Sequence, residues 1–171
     1  MSPVVASDLL WILSSMMAPS DGAPAGGGED GSETELDGTL GQVFYTVAAQ
    51  EAGGSDVIRF QKVFAKNKNA TTPLTASKVW IQAQEHAGQI QIGLASSLDD
   101  TKSIPNPLTA PSDIVFADAP SEGAAIDVAN SGSLTAGSAQ GVWLKQTIPA
   151  GTQADASVPA TLRLKGQTAG S

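Results

Sequence analysis

Near the C-terminal end, Gly141-Val142-Trp143-Leu144-Lys145-Gln146-Thr147-Ile148-Pro149-Ala150-Gly151 and Ala160-Thr161-Leu162-Arg163-Leu164-Lys165-Gly166-Gln167-Thr168 alternate apolar with polar residues, and a short loop containing Ala, Gly and Pro joins them. A period of two puts every second side chain on the same face of an extended chain, a pattern that a helix would scatter around its circumference. The two stretches predict antiparallel strands that close a half-buried sheet. Val142, Leu144 and Ile148 face inward on the first strand, Leu162 and Leu164 on the second.

The same signal recurs upstream. Gln42-Val43-Phe44-Tyr45-Thr46-Val47 predicts a first strand, and residues 56–65 a second one after the Gly53-Gly54 turn. Adjacent apolar pairs, Val57-Ile58 and Val63-Phe64, interrupt the alternation of the second, which fits either a bulge or burial on both faces. Lys78-Val79-Trp80-Ile81-Gln82-Ala83 follows, then Gln89-Ile90-Gln91-Ile92-Gly93-Leu94, with Ile90, Ile92 and Leu94 on one face. Ile114-Val115-Phe116 reads as a short strand behind a loop with Pro105, Pro107 and Pro111, and Ala124-Ala125-Ile126-Asp127-Val128 as an edge strand. Eighteen Gly and ten Pro are spread along the chain, and no helical pattern separates the runs. About seven short strands so arranged predict an all-β fold, an antiparallel β-sandwich with Ig-like or jelly-roll-like connections, over residues 41–169.

Two further segments precede that domain. Residues 1–17 contain Leu9, Leu10, Trp11, Ile12, Leu13, Met16 and Met17, and predict a short helix capped by Ser7 or Asp8. Its apolar positions cover most of the circumference, so the segment packs as a helix or strand on its own domain, docks as an N-terminal arm on a neighbouring subunit, or frays. Residues 18–40 are rich in Gly, Pro and acid, and lack the apolar content that offsets ordering entropy; they predict a flexible acidic linker.

Charge narrows the function. The net charge is −8, and no Lys or Arg occurs before Arg59, so the chain lacks the clustered bases that phosphate contacts need; no nucleic-acid partner is expected. Leu9-Leu10-Trp11-Ile12-Leu13 is too short to span a bilayer and has no basic region before it, so no membrane partner is expected and the protein is expected to be soluble after synthesis. Without Cys, thiolate metal sites and disulfides are unavailable.

The motifs of chemistry are equally sparse. The single histidine, His86, falls in a turn next to Glu85 with no metal-ligand spacing around it, and no Gly-x-Ser-x-Gly elbow accompanies it. Asp99-Asp100, beside Thr101 and Ser103, reads as a polar turn or, alternatively, as part of a calcium loop. Gly26-Gly27-Gly28-Glu29-Asp30-Gly31 lacks the Lys-Ser/Thr of a phosphate loop and reads as linker. The expectation is a protein that is no enzyme and has no catalytic residue, metal or cofactor. Trp80 and Trp143 each sit between apolar neighbours that claim the opposite face of the strand. Both indoles are therefore either turned outward to a partner or covered by the chain's own loops.

The run from Lys62 to Thr71 (Lys62-Val63-Phe64-Ala65-Lys66-Asn67-Lys68-Asn69-Ala70-Thr71), followed by Leu74-Thr75-Ala76-Ser77-Lys78-Val79-Trp80-Ile81, resembles a recurring pattern in small virion structural proteins of tailed bacteriophages. There a strand ending in a Lys-Asn pair leads through a polar turn into a second apolar strand. Gly141-Val142-Trp143-Leu144, Ile148-Pro149-Ala150-Gly151 and the run from Thr161 to Thr168 resemble the closing hairpin of the same family. The resemblance spans residues 41–169 and leaves out residues 1–40. It implies a nonenzymatic virion component made in the host cytoplasm and carried on the particle surface, most simply a capsid decoration (cement) protein. The implied partners are further copies of itself, as a trimer or dimer, and the major capsid protein or another virion protein. The expected contact residues are Leu9, Leu10, Trp11, Ile12 and Leu13 of the arm, with Trp143 and Lys145 of the sandwich. The alternatives are a tail- or baseplate-associated protein, or a carbohydrate-binding sandwich in which Trp80, Trp143 or Tyr45 stacks on sugar.

Overall fold

The computed structural model describes residues 3–14, 26–27, 30–36, 44, 54–82, 89–152 and 160–168, with the backbone alone described at 26–27, 30–36 and 130. Its strands, in chain order, are β1 (Leu9–Ser14), β2 (Gly26–Gly27), β3 (Asp30–Leu36), β4 (Val57–Asn67), β5 (Leu74–Gln82), β6 (Ile90–Leu98), β7 (Ser103–Ile104), β8 (Ile126–Asp127), β9 (Ala139–Ile148) and β10 (Thr161–Thr168). A five-stranded sheet in the order β3-β1-β4-β9-β6 faces a three-stranded sheet in the order β10-β5-β8, and β2 pairs with β7. Every pairing is antiparallel. The fold is an all-β sandwich, as the alternating runs predict.

The inner faces of the two sheets meet in one core. Val63 of β4, Val142 and Leu144 of β9, and Ile90 and Ile92 of β6 pack with Val79 and Ile81 of β5 and Leu162 of β10. Leu9 and Trp11 of β1 pack against the rim of this core, half-buried. The interrupted alternation of β4 has its reason here: both faces are covered. Val63 enters the central core, while Phe60 joins Ile104 and Trp143, and Phe64 joins Ile12 and Ala139, on the other side of the sheet.

That outer face is covered by the segment that follows β6. Ile104 of β7, with Ile114 and Phe116, packs on Phe60 and Trp143, and the Phe60 and Phe116 rings stand 5.6 Å apart. Gly93 permits the close approach of this segment, and Gly141 makes room for the Lys62 side chain. A Cβ on Gly93 would lie 2.4 Å from Ile114 Cγ2 and 2.8 Å from the Val115 carbonyl oxygen, and one on Gly141 would lie 2.9 Å from Lys62 Cε. The turn from β4 to β5 is held by asparagines: buried Asn67 donates to the Thr72 and Leu134 carbonyls, and Asn69 Oδ1 accepts from the Thr71 and Thr72 amides.

Several expectations are corrected. β9 and β10 do not form a closing hairpin; β9 lies between β4 and β6, and β10 pairs with β5 in the facing sheet. Residues 114–116 form no strand, only an extended cover with an isolated bridge at Ala117 to Ile92. Of the two forms expected for the N-terminal segment, helix or strand, the strand is found: a 3₁₀ turn, Ala6–Asp8, leads into β1, which packs in the chain's own sheet. β1 is an inner strand of the large sheet, so the sandwich reaches well N-terminal of residue 41. Within the expected linker, Gly26–Gly27 and Asp30–Leu36 are strands, because backbone pairing with β7 and β1 needs no apolar side chain. The expected first strand, with Tyr45, falls outside the described residues apart from Phe44, which is buried; His86 lies outside them too.

Candidate association surface

The residues expected to make contacts divide sharply. Trp143 is 0 % exposed, and Lys62 Nζ sits 5.3 Å from its ring centroid. It belongs to the covered outer face of the large sheet and is removed from the interface: the neighbours that seemed to claim the inside do so, but a second layer of the same chain covers the other side. Lys145, half-buried, donates to Gln91 Oε1 at 2.9 Å across the strand pair. Ile12 is 2 % exposed and packs on Phe64. Both serve the chain's own packing.

Leu9, Leu10 and Trp11 have a different setting. With Ala6 they line one wall of an open groove of about 220 Å³, and Leu162, Arg163 and Leu164 of β10 line the other. All three remain half-buried, as does Leu13. The groove lies between β1 of the large sheet and β10 of the small one. The sequence marked the β1 wall by its continuous apolar run. It gave no sign of the β10 wall, since alternation in β10 says nothing about which strand of the other sheet it faces.

The strongest charge constellation is internal. The Lys62 ammonium donates to Asp100 Oδ2 at 2.7 Å, to the Asp100 carbonyl at 2.9 Å and to the Lys102 carbonyl at 3.1 Å. The Phe64 ring lies 4.8 Å away. Burial pushes the Lys62 amine below the ordinary lysine range, against the opposing pull of the Asp100 carboxylate. Asp99 Oδ1 accepts from the Ala139 amide at 2.8 Å. Asp99-Asp100 is thus a turn whose carboxylates start β9 and clasp Lys62. Among the described residues, no three His, Cys, Asp or Glu side chains gather as metal ligands, and no helix is long and apolar enough to cross a membrane.

The outer face of the small sheet carries Lys78, Trp80 and Gln82 of β5 opposite Lys165, Arg163 and Thr161 of β10. Trp80 is half-buried. Arg163 Nε donates to Gln82 Oε1 at 2.8 Å, Lys165 pairs with Glu122 at 2.5 Å, and Lys78 with Asp127 at 3.5 Å. No family model, curated protein or solved structure matches the chain.

Proposed function

We propose that this is a nonenzymatic structural protein of a tailed-bacteriophage virion, in the first place a capsid decoration protein that holds the head shell together with further copies of itself and the major capsid protein. The observation that supports the reading is the groove in which half-buried Leu9, Leu10 and Trp11 share a mixed apolar and polar lining with Leu162, Arg163 and Leu164. Half-buried leucines and an indole on a groove gain free energy when a partner excludes water from them, at about 25 cal/mol per Å² of apolar surface. A decoration protein works by such burial, repeated over symmetry-related copies. The virion assignment rests on the strand-turn-strand resemblance of residues 62–81, since β9 and β10 do not form the hairpin of the resemblance.

The test is quantitative mass spectrometry of purified particles from cells producing the phage. Copies in proportion to the capsid protein support head decoration. A few copies per particle point to the tail or baseplate, and absence from particles refutes the virion reading. One observation favours a second reading, a carbohydrate-binding module: Trp80 lies on the outer sheet face beside Gln82 and Arg163, an aromatic flanked by hydrogen-bonding groups. Quenching of Trp fluorescence by an oligosaccharide, abolished in Trp80→Ala, would establish it. A flat titration across a glycan panel would dismiss it.

A further inference from the structure

We infer that Lys62 and Asp100 condense within the folded chain, joining Lys62 Nζ to Asp100 Cγ as an amide cross-link with the release of one water. The inference stands on this buried pair alone and is independent of the virion assignment.

The two residues meet by a route built into the large sheet. Lys62 lies on the outer face of β4, and its side chain passes over the middle strand β9 at Gly141, where a Cβ would stand 2.9 Å from Lys62 Cε. Its nitrogen ends beside the turn that follows β6, 2.7 Å from Asp100 Oδ2. The Lys62 side chain has no exposed surface, and the Phe64 and Trp143 rings stand 4.8 and 5.3 Å from Nζ. A nucleophile and a carboxyl group are thus held in contact in a pocket with aromatic walls.

The surroundings favour the reactive forms. Exposed ammonium and carboxylate groups do not condense, because water stabilises both charges. Burial acts the other way, and it pushes the Lys62 amine below the ordinary lysine range. Passing the ammonium proton to Asp100 Oδ2 gives a neutral amine and a carboxylic acid with no change in the total number of protons. The amine keeps two N–H groups, and the Asp100 and Lys102 carbonyls, at 2.9 and 3.1 Å, are placed to accept them. Its lone pair is then left on the side of the carboxyl group. The carboxyl carbon is one bond beyond Oδ2, close to the separation of about 3–3.5 Å from which bonds form.

Attack makes the Nζ–Cγ bond and moves the C=O electron pair onto oxygen. A proton from nitrogen passes to the Oδ2 hydroxyl, the Cγ–Oδ2 bond breaks as the carbonyl re-forms, and water leaves. Amine and acid become amide and water, so no oxidant, reductant or further reactant enters. The Asp100 side chain, 18 % exposed, gives the water its way out. The ion pair is the form in which the chain folds, and denaturation of the unreacted chain reports on it. A buried ion pair adds little over an apolar replacement, whereas a bond between residues 38 positions apart constrains the unfolded chain and fastens β4 to the end of β6.

The experiment is intact-mass spectrometry of the full chain in denaturing solvent, newly purified and again after several days at neutral pH. The folded parent becomes lighter by one water, and a sample kept in denaturant holds its full mass. Fragmentation of a protease digest finds one branched peptide joining Lys62 to Asp100. Lys62→Arg keeps its full mass, which separates the cross-link from dehydration of an aspartate to a cyclic imide. A parent that stays at full mass, a loss of water that persists in Lys62→Arg, or a digest without the branched peptide overturns the inference.

Discussion

Trp143→Ala separates a core indole from an interface indole by the size of the stability loss. Trp143 has no exposed surface and packs with Phe60 and Ile104. Truncating a buried aromatic to Ala costs about 3–5 kcal/mol. Two local effects act on that figure in opposite directions. The Lys62 ammonium, 5.3 Å from the ring, loses a desolvated cation–π contact of about 0.5–2 kcal/mol. The indole Nε1 finds no hydrogen-bond partner among the described residues, so its removal relieves a buried donor that costs about 1–3 kcal/mol. The two nearly offset, and the expected loss stays at about 3–5 kcal/mol, or roughly 6–20 °C in Tm for a chain of this size. Trp143→Phe keeps a ring against Lys62 and discards the unpaired donor, and should cost less than about 1.5 kcal/mol. Urea denaturation followed by far-UV circular dichroism measures both variants. If Trp143→Ala loses under about 1 kcal/mol and yet weakens association, the indole is an interface group and the burial argument fails.

Asp100→Ala removes the carboxylate that the buried Lys62 ammonium pairs with at 2.7 Å, and should cost about 3–5 kcal/mol, whereas Lys62→Met should cost clearly less because it removes the buried charge itself; equal losses in chemical denaturation would refute the asymmetry. Because burial lowers the Lys62 pKa on folding, the unfolded chain binds the extra proton between the lowered value and 10.5, so this site's contribution to stability rises with pH across that window and levels off above it; Lys62→Met should abolish that rise. Gly93→Ala places a Cβ 2.4 Å from Ile114 Cγ2 and should cost about 1–3 kcal/mol, with increased binding of a hydrophobic dye as the covering segment lifts; an unchanged melt would show that the segment is not pressed on the sheet. A chain beginning at residue 41 loses β1 and β3, leaving Phe64 without Ile12, and should lack a cooperative melt; a stable fold from that chain would contradict the inner position of β1.

Period-two alternation is a property of a strand by itself, and it placed β5, β6, β9 and β10 in the sequence, including the inward Ile90, Ile92, Val142, Leu144 and Leu162. The continuous apolar run at Leu9-Leu10-Trp11 marked a segment that has to pack on something, and it packs in the large sheet. Which strands become neighbours is a matter of long-range pairing, and local pattern carries no record of it. Alternation therefore suggested a hairpin of β9 and β10 where the chain sends them to opposite sheets. The same limit explains the N-terminal segment: an all-apolar run satisfies a helix or a doubly covered strand equally well, and only the edges of β3 and β4 decide for the strand. β3 was hidden because Asp30-Gly31-Ser32-Glu33-Thr34-Glu35-Leu36 has the composition of a linker, and backbone hydrogen bonds to β1 are indifferent to composition. Trp143 and Lys62 look like surface groups in a one-sided sheet. They are buried because a Pro-containing segment folds back over Gly93, and because Gly141 leaves room for the Lys62 side chain beside Phe64, spaces that exist only once the strands are paired.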